Sequence, residues 1–208
     1  MRRKMCHRLY ILTMAFSTLC VFLIGCENKN DSHPAQPPMN DSNNPALTWI
    51  LNGDYRVVQS FYDLPKDVRT IIIPEPYEFP HNVIDSLRKS GWTEEQIKKE
   101  VESNKILFGR MANPNERFNS TDAIVEDLPM RRFITGGFSK DYAFVFYEHG
   151  GIGYNQPLVI LKRNNHKAEI IFMGVNLGEA GSLEDLKAII KNNKIEEIKN
   201  PENQRINM

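Results

Sequence analysis

In the second half of the chain, apolar residues come in short runs separated by polar turns. Residues 105–111, 131–137, 142–149, 158–163 and 169–175 read as successive strands of an antiparallel meander. Turn residues fall between the later ones, at Ser139-Lys140-Asp141 and at Asn164-Asn165. The run Ala143-Phe144-Val145-Phe146-Tyr147 has no polar interruption, which predicts a central strand covered on both faces. Further upstream the pattern predicts three more strands. Residues 48–51 (Thr-Trp-Ile-Leu) precede an Asn52-Gly53 hairpin signal, residues 55–62 carry Val57, Val58 and Phe61, and the β-branched run 70–73 stops at Pro74-Glu75-Pro76.

Helical spacing occurs in three places. Val83, Ile84 and Leu87 share one face of a helix over 82–89, which Gly91 ends. Thr93-Glu94-Glu95-Gln96 is a capping box opening a second helix with Ile97 and Val101 on its apolar stripe. The two form a helical hairpin with Trp92 at the bend, and Trp92 is expected in the core. Ser182 caps a last helix whose Leu183, Leu186, Ile189 and Ile190 face inward, and beyond Lys191 the chain turns polar. Residues 47–208 are therefore expected to form a single α+β domain: an antiparallel sheet with about three helices, packed on one of its faces.

The N-terminal pattern is of another kind. Arg2, Arg3, Lys4 and Arg8 precede a largely apolar run over residues 9–24, with no acidic residue before Glu27. A basic stretch, a short apolar stretch and a small residue before a cut site are the parts of a secretory signal. The run is shorter than the ~20 residues that span a bilayer comfortably. It closes on Leu23-Ile24-Gly25-Cys26, which resembles the bacterial lipobox Leu-x-[Gly/Ala]-Cys. The resemblance is confined to the first 26 residues. It implies cleavage after residue 25 and lipidation of the Cys26 thiol and new amino group with diacylglycerol and a fatty acid such as palmitate. At ~0.8 kcal/mol per buried methylene, such chains make a lasting membrane anchor. Glu27, where an aspartate would favour retention in the inner membrane, implies sorting to the periplasmic face of an outer membrane. Residues 26–46, rich in Asn, Asp, Ser and Pro, have the composition of a flexible tether.

Removing the signal changes the charge balance. The chain carries 26 basic and 26 acidic residues, and losing the four basic residues before Leu9 leaves 22 against 26, or about −4. That balance argues against a nucleic-acid partner. Cys6 and Cys20 leave with the signal and Cys26 is consumed by lipid, so the mature domain has no thiol for a disulfide and relies on core burial.

Candidate chemistry concentrates in Tyr147-Glu148-His149-Gly150-Gly151-Ile152-Gly153-Tyr154-Asn155, between two expected strands. Its glycines fit neither a P-loop nor a dinucleotide fingerprint, since no helix follows, and they suit positive φ in a long loop. Glu148 and His149 have the chemistry of an acid–base pair, but neighbouring strand residues point to opposite faces. No zinc spacing is present, because His33, His81 and His166 lie apart in the tether and in separate turns, and no cofactor motif appears. Tyr147, Glu148, His149, Gly150, Gly151, Tyr154 and Asn155 therefore form a candidate binding loop, rich in the aromatic residues that anchor interfaces. Arg131 and Arg132 open an adjacent strand as exposed residues, able to pair with Glu148 or hold an anion.

Three short patterns carry no function. Gly137-Phe138-Ser139-Lys140-Asp141 lacks the closing glycine of a nucleophile elbow, and Ser86-Leu87-Arg88-Lys89 lacks the companions of a penicillin-binding serine motif. Asn119-Ser120-Thr121 fits a glycosylation sequon, which a bacterial lipoprotein gives little reason to use. The reading that best joins these features is a lipid-anchored envelope protein that binds another protein, for instance as an immunity-type inhibitor of a toxin. Its rivals are a small periplasmic hydrolase using Glu148, His149 and Arg131, and a small-ligand or lipid binder.

Overall fold

The unbroken apolar strand at residues 142–149 needs cover on both faces, and the fold supplies it. A computed structural model describes residues 44–165 and 167–199, which belong to one compact unit with α+β architecture. The signal, Cys26 and the tether up to residue 43 lie outside the described residues, as does His166. Six strands form one antiparallel sheet in chain order. These are β1 (Arg56–Val58), β2 (Arg131–Phe138), β3 (Tyr142–His149), β4 (Gln156–Asn164), β5 (Lys167–Asn176) and β6 (Glu196–Glu197). Neighbouring strands in sequence are neighbours in space, as the meander pattern requires, and the short β1 and β6 form the sheet edges.

The helices are α1 (Pro45–Asn52), α2 (Lys66–Ile72), α3 (His81–Lys89), α4 (Glu94–Gly109) and α5 (Leu183–Lys191), with a 3₁₀ turn at Phe61–Asp63. Contrary to the expectation of cover on one side, they occupy both faces of the sheet. Ala143, Val145 and Tyr147 point into a core shared with Phe61, Leu64, Val68 and Phe133. Phe144 and Phe146 point into a second core with Leu47 and Ile50 of α1 and Leu186 and Ile190 of α5.

Three expected strands are helical instead. Residues 48–51 belong to α1, where Pro45 sits at the helix start and the Asn44 side chain accepts from the Ala46 N–H. This helix begins two residues before position 47. Gly53 is not a hairpin residue; its N–H closes the helix on the Trp49 carbonyl at 2.7 Å. The β-branched run 70–73 lies largely in α2, whose Val68 is fully buried against the sheet, so packing overrides propensity. Residues 105–109 continue α4 rather than starting the meander. Ile97, Val101, Asn104 and Phe108 recur at helical spacing, and that period runs through the segment. The expected strand 55–62 shrinks to β1, after which Ser60 caps the 3₁₀ turn.

Local signals elsewhere fold as the residues dictate. Thr93 and Gln96 form the reciprocal capping box of α4, and the Ser182 side chain accepts from the Asp185 N–H to cap α5. Gly91 adopts φ 81° after α3, with Trp92 N–H on the Leu87 carbonyl and Gly91 N–H on that of Arg88. This is the paired C-terminal bonding that favours glycine. Trp92 is half-buried there and lies outside both cores.

Candidate functional site

Side-chain alternation along β3 separates the two residues that sequence places together. Glu148 follows Phe146 onto the face of α1 and α5, whereas His149 follows Tyr147 onto the other. Register repeats the division, because Glu148 lies opposite Arg132 and His149 opposite Arg131. An acid–base pair of Glu148 and His149 is therefore not assembled. Arg131, the hydrolase reading's anion clamp, also sits on the face away from Glu148.

Arg131 is not an exposed strand start, being only 7% accessible. Its Nη1 donates to the Phe108 carbonyl at 2.8 Å, at the C-terminal end of α4, where the helix dipole favours a cation. Burial pushes its guanidinium below the usual range and pushes the phenols of Tyr147 and Tyr77 up. Tyr147 belongs to the core and cannot serve as a surface anchor.

Arg132 makes the ion pair with Glu148. Its Nε donates to Glu148 Oε2 at 2.5 Å, and its guanidinium carbon lies 4.5 Å from the centre of the Phe118 ring. The Tyr154 hydroxyl donates to the other carboxylate oxygen at 2.7 Å. The buried Gln156 amide follows, donating to the Tyr154 oxygen at 3.3 Å and to the Ala180 carbonyl at 2.9 Å. The Asn176 amide donates to Gln156 Oε1 at 2.8 Å, and the Gly178 N–H donates to Asn176 Oδ1 at 3.2 Å. Four polar side chains from β2, β3, β4 and β5 and one from the intervening loop are thereby linked across one end of the sheet. Glu148, Gln156 and Asn176 are all buried, and each of them is hydrogen-bonded. Burial, then the Glu148 hydrogen bond and charge, push the Tyr154 hydroxyl up to about 12, so it stays a proton donor at neutral pH.

Arg132, Glu148 and Tyr154 form the floor of an open cleft of about 600 Å³, which Arg117, Phe118, Ser120 and Glu179 also line. The segment between α4 and β2 supplies one wall, and Asn119 shapes it. Its amide donates to the carbonyls of Val125 and Leu128, and its Oδ1 accepts from the Val125 N–H at 2.7 Å. At 2% accessibility Asn119 is an internal loop tie and not a glycosylation site.

The glycines of the candidate loop divide by role. Gly150 is buried, and a Cβ there would lie 1.6 Å from the Asn119 carbonyl oxygen, so the loop docks on the wall only without a side chain. Gly151 and Gly153 have φ of 89° and 88° and make the turn itself. Between them Ile152 is 93% exposed. Asn155 and His149 exchange backbone hydrogen bonds that close the loop's base. Leu177, 67% exposed, stands just beyond Asn176, the register partner of Gln156.

Of the candidate residues, the structure brings together Arg132, Glu148 and Tyr154, with Gly150 and Gly151 supporting the loop. It sets Arg131, Tyr147 and His149 on the other side of the sheet. Arg117, Phe118, Ser120, Gln156, Asn176 and Glu179 were not anticipated. Gln156 and Asn176 left a trace in the sequence as amides at the ends of apolar strands, whereas the others lie in loops without periodicity. Among the described residues no cluster of His, Cys, Asp or Glu could hold a metal ion, and no helix is long and apolar enough to cross a membrane. The chain matches no protein-family model, and comparisons with curated proteins and with solved structures give no match.

Proposed function

We propose that this chain is a lipoprotein anchored through Cys26, at the periplasmic face of the outer membrane. There it acts by binding another protein with the cleft end of its sheet, in the manner of an immunity-type inhibitor. The observation that carries the reading is Ile152. A large aliphatic side chain stands 93% exposed at the tip of a loop whose base is hydrogen-bonded and whose Gly150 is wedged against the 119–120 backbone. An apolar residue held out on a firm loop loses little conformational freedom on docking, which favours association. Leu177 adds a second exposed apolar group on the neighbouring connection.

Two measurements test the two parts. Cells fed an alkyne-tagged palmitate are expected to label the wild-type chain and leave Cys26→Ser unlabelled; equal labelling of both would remove the anchor. A photo-crosslinking residue replacing Ile152 is expected to trap one protein in intact envelopes. The same probe replacing Lys98, exposed on α4, serves as control. Identical products from the two positions would overturn the binding surface.

A further inference from the structure

A guanidinium carries five N–H donors and, offered a free carboxylate, makes a two-point fork with both oxygens. Glu148 does not receive that fork: Arg132 reaches it through Nε on Oε2 alone, while Oε1 accepts from the Tyr154 hydroxyl. Among the described residues the η nitrogens of Arg132 have no hydrogen-bond partner, and the side chain, one-third exposed, lines the cleft. Phe118 beneath the guanidinium and Glu148 behind it hold its plane in place. A donor edge has thus been fixed, desolvated on one side and left open on the other.

We propose that this cleft binds a carboxylate group, with the two η nitrogens of Arg132 donating to its two oxygens and Arg117 and Ser120 assisting from the adjacent wall. The charge of the lining selects this class of ligand. Arg117 and Arg132 are balanced by Glu148 and Glu179, so the cleft is neutral overall and offers no net attraction to a phosphate dianion or a polyanion. A single carboxylate is recognised by directed hydrogen bonds, which need no net positive field. The inference rests on the protein-binding reading and deepens it: the partner presents an Asp or Glu side chain to Arg132 while apolar groups pack around Ile152. A free carboxylic acid offers the same chemistry.

The test uses the mature lipidated chain in detergent, ¹⁵N-labelled, with the arginine Nε–H signals followed by NMR. N-acetyl-glutamate N-methylamide is expected to shift the Arg132 signal saturably, and the glutamine analogue is not. Arg132→Lys keeps the charge but loses the fork, and is expected to abolish the response. Because that change leaves Glu148 with a different partner, a second variant guards against misfolding. Tyr154→Phe frees Oε1, lets Arg132 fork onto Glu148, and is expected to weaken binding about tenfold in a folded protein. Equal shifts with both analogues, no saturable shift, or wild-type affinity in Tyr154→Phe would overturn the site.

The outcomes separate from those at Ile152. Carboxylate binding without a crosslinked partner supports the site and removes the protein-binding reading. A specific crosslink without carboxylate binding keeps that reading and removes this inference.

Discussion

Tyr154 shows how burial and a linked polar row set the state of one of its members. In the fold its hydroxyl titrates at about 12 because it is partly buried and bonded to a carboxylate, whereas a tyrosine in an unfolded chain titrates near ~10. The fold therefore keeps a proton that the unfolded chain releases. The resulting stability is complete below pH ~10 and is lost as pH rises through about 12. Tyr154→Phe is expected to flatten the fall of melting temperature across that window by about one proton's worth of slope, measured by calorimetry. Tyr77 and Tyr147, raised by burial, retain the remainder. An unchanged alkaline limb would refute the assignment. At this scale the sequence supplied residue types but not directions. It marked Arg131, Arg132, Tyr147, Glu148 and Tyr154 as one group, and the pleat then divided them between two faces.

Elements reveal which local signals are self-sufficient. A cap is a contact between residues three positions apart, so Thr93, Gln96 and Ser182 could be read directly. Thr93→Ala is expected to cost about 1 kcal/mol in urea unfolding with an unchanged slope, and Thr93→Ser to recover most of it. Segments 48–51, 70–73 and 105–109 were read as strands because β-branched and aromatic residues favour pleated surfaces. Each is short, and a short apolar run does not by itself distinguish a strand from a buried helical turn. Flanking context decided: Asn44-Pro45 starts α1, Pro65 precedes α2, and the apolar period of Ile97 and Val101 carries α4 through residue 109.

For the whole molecule, the consequential contact joins segments distant in sequence. Arg163 at the end of β4 forks onto Asp67 of α2, with Nε to Oδ2 at 2.9 Å and Nη2 to Oδ1 at 3.1 Å, and its Nη1 reaches the Ser139 carbonyl. Both side chains are largely buried, so the pair clamps α2 onto the sheet. Asp67→Ala strands a buried guanidinium and is expected to destabilise the protein by ~3 kcal/mol or more in chemical denaturation. Replacing both partners, as Asp67→Leu with Arg163→Met, is expected to lose clearly less. If the double variant is as unstable as the single one, the clamp is not what holds α2.

The chain by itself determined what depends on neighbours in sequence: the lipobox-like N-terminus, the tether-like composition, the four long strands and their order, the caps, and the need for apolar cover on both sides of β3. Tertiary structure alone decided which helix covers which face, and that Glu148 meets Arg132 and Tyr154 while His149 turns away. It also brought Phe118 and Ser120, from a loop without periodic signal, to the same cleft. The physical reason is range. Caps, turns and alternation are enforced within a few residues, whereas a site assembled from four strands and three loops exists only once the sheet register has brought its members together.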